Sequence, residues 1–185
     1  GASLIVQGNP ALKTIDGYSK LATVSAYLIV QDNYGLEKVG GFNEVALLNL
    51  LRVQANSKLV EITGFNALTK IGWMLRIYEN HGLQGVGGLK NLAEVGTNVE
   101  VIKNSALAHL DGLAKLADVG GKFTFEDNPT LGNCTIETLL DQLVELGSFA
   151  GETTISGNDD PCDPAPCSAG VCTQNCSESL FYICE

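Results

Sequence analysis

The chain has 185 residues, of which 45% are hydrophobic and 17% charged, and its formal net charge is −10. This composition supports a buried core and excludes a disordered chain or a minimal disulfide knot. The acidic balance is opposite to that of proteins that bind nucleic acids or anionic membranes, so we expect no nucleic-acid partner and no membrane insertion. No initiator methionine or signal sequence precedes Gly1, and we expect a processed or excised chain.

A repeat of about 24 residues runs through most of the chain. Its clearest mark is an asparagine that recurs at intervals of 24, 23, 24, 24 and 24 residues, at Asn9, Asn33, Asn56, Asn80, Asn104 and Asn128. A leucine follows each asparagine by three residues, at Leu12, Leu36, Leu59, Leu83, Leu107 and Leu131. Apolar residues lie five and three residues before each asparagine, and this alternation predicts a strand with one buried face.

One such unit cannot bury its own apolar stripe, so the units must stack. We therefore predict a mainly β fold over residues 1–158, a parallel β-solenoid of about six 24-residue leucine-rich repeats. A glycine eight residues after the first five asparagines predicts a corner that needs positive φ or close backbone approach. The asparagine column is expected to satisfy backbone groups at the turns. The single 23-residue interval places a deletion between Leu48 and Leu51, and Thr153, Ile155 and Asn158 form a poorer last rung.

The unit from Leu75 to Val95, with Ile77, Asn80, Leu83 and Gly88 in the repeat columns, resembles the receptor L domain, a relative of leucine-rich repeats. This family occurs in the ectodomains of insulin-receptor-like and epidermal-growth-factor-receptor-like proteins. The resemblance implies a right-handed coil, a secreted or cell-surface location, partner binding through side surfaces and no catalytic apparatus. The chain differs from the family in residues 1–9, which enter a strand without the usual helix and disulfide cap.

A helix is predicted after the sixth coil, over residues 135–147. Its apolar residues have helical spacing at Ile136, Leu139, Leu140, Leu143 and Val144. Thr135 is the expected N-cap, and Gly147 is the expected stop. We expect this helix to cover the C-terminal end of the core.

Residues 159–185 form a cysteine-rich tail. Its segments Asp160–Cys172 and Phe181–Cys184 resemble the opening and the tyrosine–cysteine strand of an EGF-like module, which is incomplete here. The six cysteines are Cys134, Cys162, Cys167, Cys172, Cys176 and Cys184. They predict three disulfides formed in an oxidising compartment, with Cys134 joining the solenoid to the tail. Zinc is the alternative for the tail, and calcium near Asn158–Asp160 is a further one. Asn133 and Asn175 begin N-x-S/T sequences and are candidate glycosylation sites.

Few residues suggest chemistry. His81 and His109 occupy different repeat columns and are expected at the surface, and no phosphate-binding loop is present. On the outward face of the main sheet, Arg52, Arg76 and Tyr78 form a candidate binding face. The alternative for this face is a ladder of mutually hydrogen-bonded Gln and Thr side chains with one Arg–Glu pair.

The function that these patterns favour is a non-catalytic extracellular interaction or structural module, part of a larger surface protein or filament that assembles through solenoid ends. Leu4, Val6 and Leu12 form the candidate assembly edge, because no cap precedes them. The partner would be a second copy, another extracellular protein or a glycan. The alternative is a ligand-binding ectodomain fragment of a receptor-like protein. We expect no enzyme activity, cofactor or metal, since Glu100 and Glu126 lie in different columns without a third acid.

Overall fold

The computed structural model describes residues 2–159 and shows a mainly β chain wound into a parallel β-solenoid. The main sheet has the order β1-β3-β5-β7-β9-β11-β12, and all its neighbouring strands run parallel. Its strands, numbered in chain order, are β1 (Leu4–Gln7), β3 (Tyr27–Gln31), β5 (Leu47–Gln54), β7 (Lys70–Tyr78), β9 (Val99–Ile102), β11 (Phe123–Glu126) and β12 (Thr153–Ser156). The repeat columns stand opposite one another, as in Leu4↔Leu28, and the predicted solenoid is confirmed.

Two further sides close each coil. A second sheet contains β2 (Thr14–Ile15), β4 (Lys38–Val39) and β6 (Glu61–Ile62). The third side is formed by the first halves of β5 and β7, then by β8 (Glu94–Val95) and β10 (Asp118–Val119). Short 3-10 helices, Gly87–Leu89 and Asp111–Leu113, lie between these sides in the later coils. In the main sheet, five turns of the solenoid connect β1 to β11, whereas about six were predicted. The number is lower because the next turn contains a helix.

The core is a continuous column of aliphatic and aromatic side chains inside the coils. The leucines at 36, 59, 83, 107 and 131 are all fully buried. Phe42 stacks on Phe65 with a centroid separation of 5.1 Å, and Phe123 packs against Phe125 at 4.7 Å. Because each coil buries its neighbour's apolar stripe, the stability of an inner coil depends on the coils on both sides.

A ladder of asparagine side chains runs along one corner. Asn33, Asn56, Asn80, Asn104 and Asn128 are fully buried. At Asn80, Nδ2 donates to the carbonyl oxygens of Val53 and Tyr78 at 2.9 and 3.1 Å. Its Oδ1 accepts from the backbone N–H and the side-chain amide of Asn56, at 3.2 and 3.1 Å. The predicted structural role of the asparagines is therefore confirmed.

The residue before each ladder asparagine has a left-handed backbone conformation. The φ angles are 57° at Asp32, 52° at Ala55, 55° at Glu79, 58° at Lys103 and 54° at Asp127, and the two end coils have Gly8 and Gly157 here. Among the corner glycines, Gly41 has φ 84°, whereas a Cβ at Gly112 would collide with the Val86 carbonyl. Gly17 shows neither feature, because no earlier coil packs against it within residues 2–159.

The short repeat appears as an irregularity between β5 and β7. The register shifts between Leu48 and Leu50, so that Asn49 stands opposite two residues, Gly72 and Trp73. This position agrees with the predicted deletion between Leu48 and Leu51. The inward-facing columns resume at Leu51↔Leu75, so the irregularity leaves the core register unchanged.

Helix α1 (Asn133–Glu145) follows the last full coil. The predicted N-cap at Thr135 is wrong: Gly132 is the N-cap, and Thr135 lies in the first turn, its N–H donating to the Gly132 carbonyl. The helix starts earlier because the Asn133 N–H donates to the Asp159 carbonyl, which satisfies a free helix donor. At the other end, Gly147 (φ 67°) donates to Val144 and Ser148 donates to Leu143, a Schellman ending.

Candidate functional site

The N-terminal coil is open. Leu4, Val6, Leu12, Tyr18 and Leu21 are only partly buried, although they occupy core columns. Their counterparts in the next coil are fully buried, namely Leu28, Val30, Leu36, Phe42 and Val45. The aromatic stack also ends here, since Tyr18 lies on Phe42 with centroids 5.2 Å apart and no third ring covers its other face within residues 2–159.

Hydrogen-bond acceptors line the turn of this open coil. In every later coil the ladder Oδ1 accepts from the preceding coil, as Asn33 Oδ1 does from the N–H and Nδ2 of Asn9 at 3.0 and 3.1 Å. The carbonyl two residues before each ladder asparagine is used in the same way, as where Gly8 N–H donates to Gln31 at 3.2 Å. Among the described residues, no preceding coil supplies these donors to Asn9 Oδ1 or to the Gln7 carbonyl.

The C-terminal end of the core is covered by α1, although in the outermost strand, β12, Ile155 is only partly buried and Thr153 is exposed. Ile136, Leu139 and Leu143 of α1 are buried against it. The Gln142 amide donates to the Leu116 carbonyl at 2.8 Å, and the Ser148 hydroxyl donates to the Ala117 carbonyl. The predicted covering of this end by a helix is therefore confirmed. The assembly-edge residues Leu4, Val6 and Leu12 thus lie together at the end whose core has no cover in the described structure.

The candidate binding face brings Arg52, Arg76 and Tyr78 onto adjacent rungs, since Arg52 pairs with Arg76 and Gln54 with Tyr78 in the sheet register. Arg76 forms an ion pair with Glu100 at 3.1 Å, and its guanidinium carbon lies 4.9 Å from the Tyr78 ring centroid. Arg52 has no ion pair or hydrogen bond with a described residue, and its Nε is buried without an acceptor. The expected Arg–Glu pair is therefore present. The Arg52 guanidinium beside it has no acidic partner among the described residues.

The expected glutamine ladder is not formed as predicted. Gln7 and Gln31 each donate to the Asp32 carboxylate at 3.2 Å instead of to one another. Asp32 is in the left-handed position, which turns its side chain toward this face. A charged acceptor makes stronger hydrogen bonds than a neutral amide, so the carboxylate displaces the amide-to-amide pattern.

An exposed aromatic pair was missed by sequence reasoning. Tyr27 and Trp73 are 40% and 45% exposed, and their ring centroids are 6.3 Å apart. They flank the irregularity between β5 and β7 and belong to no core column. The shortened repeat was the only available signal, because it marks where an extra residue is pushed outward.

Ion pairs between coils have a constant direction. In the six pairs of the described residues, the cation lies in the earlier coil and a glutamate in the later one, as in Lys13–Glu37 (2.9 Å) and Lys122–Glu152 (2.6 Å). The hydrogen bond from Lys13 lowers the pKa of Glu37, and that from Lys122 lowers the pKa of Glu152. The same bond raises the pKa of Lys122.

The other candidates are scattered. His81 and His109 are exposed in different columns, and His81 Nδ1 lies 3.4 Å from the Ser105 hydroxyl. Within residues 2–159 no group of three His, Cys, Asp or Glu side chains could hold a metal. Asn133 begins α1 and is partly buried. Cys134 is disulfide-bonded, while Asn175, the other five cysteines and with them the zinc alternative lie outside the described residues. Of the calcium candidates, Asn158 uses its Oδ1 to accept from Asn128 in the ladder, and Asp160 lies outside the described residues.

No protein-family model matches the chain, and no curated protein or solved structure is significantly similar to it. The resemblance of the repeat to receptor L domains, and of the tail to EGF-like modules, therefore stays a prediction. None of the helices in the described part of the chain is both long enough and apolar enough to cross a membrane.

Proposed function

We propose that this chain is a non-catalytic interaction and assembly module that engages another polypeptide through its open N-terminal coil. The observation that carries the proposal is that apolar residues of the core columns are partly exposed in the first coil. Leu12 is partly exposed, whereas Leu36, Leu59, Leu83, Leu107 and Leu131 in the same column are fully buried. Apolar surface continuous with a core is stabilised by being covered, and an uncovered edge strand offers free backbone groups to a partner.

The setting of this module is the extracellular space. The support for that setting is the count of six cysteines, five of them in residues 160–185, which is typical of oxidising compartments. The partner is a protein, either a second copy or another extracellular chain. An edge strand beside exposed apolar side chains can bind a polypeptide by strand addition.

Association of the 185-residue chain tests the proposal. Sedimentation velocity over a range of concentrations should show association that Leu12→Lys abolishes, because a lysine at the open coil would be buried without a counterion. Val60→Lys is the matched control, since Val60 is an exposed apolar residue on the second side. A chain that is monomeric at every concentration, or equal effects of the two variants, would contradict assembly through this end.

The second candidate function is ligand binding on the main sheet face, as in a receptor-type ectodomain fragment. The observation that favours it is the uncompensated Arg52 beside the Arg76–Tyr78 pair. A guanidinium in this setting suits a carboxylate, such as that of an acidic glycan. Titration with a uronic-acid oligosaccharide should shift the Arg52 side-chain NMR signals. Unchanged signals, or binding that Arg52→Gln leaves intact, would argue against this function.

A further inference from the structure

The hydrogen bonds at the asparagine corner follow one pattern along the whole solenoid. Each ladder Nδ2 also donates back to the earlier coil, as Asn33 does to the Val6 carbonyl at 2.9 Å. In each rung three donors of the earlier coil point to acceptors of the later coil. They are the backbone N–H before the asparagine, the asparagine N–H and its Nδ2. The Glu79 N–H, for example, donates to Ile102 at 3.0 Å, and Asn80 donates to Asn104 Oδ1 at 3.1 and 3.3 Å. The same pattern joins the coil of Asn128 to Asn158, at 3.2 and 3.0 Å.

This pattern gives the open end a chemical character. In the first coil, the N–H groups of Gly8 and Asn9 already donate to Gln31 and Asn33. Asn9 Nδ2 donates to Asn33 Oδ1 and also to the Gln7 carbonyl at 2.9 Å, which leaves that carbonyl a second lone pair. What it offers outward at this corner is the side-chain oxygen of Asn9 and the carbonyl of Gln7, beside the partly exposed Val6 and Leu12. Two acceptors beside exposed apolar side chains suit a partner that places hydrogen-bond donors at the corner and packs its own apolar side chains against Val6 and Leu12.

We propose that the occupant of the N-terminal end is a strand of another polypeptide that runs parallel to β1 and carries an asparagine at the ladder position. Its pattern is that of the coil itself, with apolar residues five and three positions before an asparagine. The N–H before the asparagine reaches the Gln7 carbonyl, and the asparagine N–H and Nδ2 reach Asn9 Oδ1. This inference rests on the proposed function and specifies its partner.

The same reasoning excludes one arrangement. Two copies related by a two-fold axis at this end would not place a strand parallel to β1 in the register of a further coil, so the corner pattern would not continue. A symmetric dimer through this end is therefore disfavoured, and a second copy could bind only head to tail, in an interface that does not close.

Binding of designed peptides to the 185-residue chain tests the inference. The probe is a labelled peptide that copies residues 120–128, which contain Phe123, Phe125 and Asn128 in the required spacing. In fluorescence anisotropy we expect it to bind about tenfold more tightly than the same peptide with Asn128→Leu, since the side-chain hydrogen bond to Asn9 Oδ1 is lost. The leucine peptide is the more apolar of the two, so purely apolar binding would give the opposite order.

Two controls locate and orient the binding. A peptide of reversed sequence has the same composition and should bind at least as weakly as the leucine peptide. The Leu12→Lys chain should lose binding of the probe, and the Val60→Lys chain should keep it. If the leucine or reversed peptide binds as tightly as the probe, or if the chain forms a symmetric dimer through this end, the directional inference is wrong while assembly at this end stands. If no peptide binds, the inference is wrong, and a chain that is also monomeric contradicts the proposed function itself.

Discussion

The two ends of the solenoid carry the same repeat columns but leave them in different states. At the C-terminal end, Phe123, Phe125 and Leu131 are fully buried because α1 and the outermost strand, β12, lie beyond them. At the N-terminal end, Leu4, Val6 and Leu12 occupy matching columns and stay partly exposed. The difference shows that the repeat alone does not cover its own ends. Covering the end of a stack of coils requires a different element, and within residues 2–159 only the C-terminal end has one, the helix α1.

The ends also differ in hydrogen-bond character, because the backbone N–H groups at the corner of each rung donate toward the C-terminus, while the ladder Nδ2 donates in both directions. Two ends of one solenoid are thus not interchangeable as contact surfaces. A corner with this pattern selects the orientation of a partner, whereas exposed apolar surface alone would accept partners in either orientation.

The largest difference is expected in the asparagine ladder. Asn80→Ala removes the acceptor of two Asn56 donors and the donor to Val53 and Tyr78, all at a buried corner. We expect a loss of about 4 kcal/mol of unfolding free energy from these unsatisfied groups. Asn9→Ala should cost about 1 kcal/mol, because Asn9 is exposed and its oxygen has no donor within the described residues. Denaturant unfolding measures both, and equal losses would mean that the first rung is as buried as the fourth.

The leucine column gives the next comparison. Leu131→Ala, beneath α1, should cost about 2 to 5 kcal/mol, because it leaves a cavity in a closed core. Leu12→Ala should cost about 1 kcal/mol or less, since the site is partly exposed and loses less buried area. A Leu12→Ala loss as large as that of Leu131→Ala, in chemical denaturation of a dilute sample, would show that the N-terminal end is covered.

The left-handed position before each asparagine sharpens the comparison between end and inner coils. It is glycine in the end coils and other residues between them. Ala55→Gly should therefore leave stability unchanged or raise it by up to about 1 kcal/mol, because relief of the φ strain offsets the added chain entropy. Ala67→Gly, at a position without positive φ, should lower it by about 0.5 to 1 kcal/mol. Thermal unfolding of the two variants decides, and a loss at Ala55 equal to that at Ala67 would refute the assignment of strain.

The smallest effect is expected at the exposed ion pair between the first two coils. Lys13 lowers the pKa of Glu37 in the folded chain, so the pair stabilises the fold above the unfolded pKa of about 4.3 and loses this effect as the pH falls through the folded pKa. Wild type and Lys13→Gln should therefore differ slightly at neutral pH and converge in acid. Lys90→Gln is the control, because Lys90 has no ion pair in the described structure. A Lys13→Gln difference that grows on acidification would have the wrong sign.

The parts of the fold that depend on periodicity could be predicted from the sequence. Strand positions, register, the deletion near Leu48 and the apolar face of α1 all follow from which residues must share one core. Features that depend on local hydrogen bonds could not be predicted. The sequence alone does not show that Asp32 draws Gln7 and Gln31 away from a glutamine ladder, or that Asp159 moves the start of α1 to Asn133. The left-handed column was also hidden, because Ala55 and Lys103 have no intrinsic preference for it.

The candidate site was predictable to a different extent. Leu4, Val6 and Leu12 were identified because they occupy the apolar columns of the first coil. The acceptor character of the same end required the hydrogen-bond directions of all the rungs. The Tyr27–Trp73 pair belongs to no column, so only the three-dimensional packing around the irregularity reveals it.

Hydrogen exchange at the first strand, measured at low and high protein concentration, tests the central claim most directly. The Ile5 and Gln7 amides point away from β3 in a parallel ladder, so in dilute samples they should exchange like unpaired amides. At high concentration, or with the peptide of residues 120–128 added, a partner strand should slow their exchange, while Val30 and Val53 stay protected throughout. Strong protection of Ile5 and Gln7 in the dilute monomer would contradict an open end, and unchanged rapid exchange under all conditions would contradict its role in assembly.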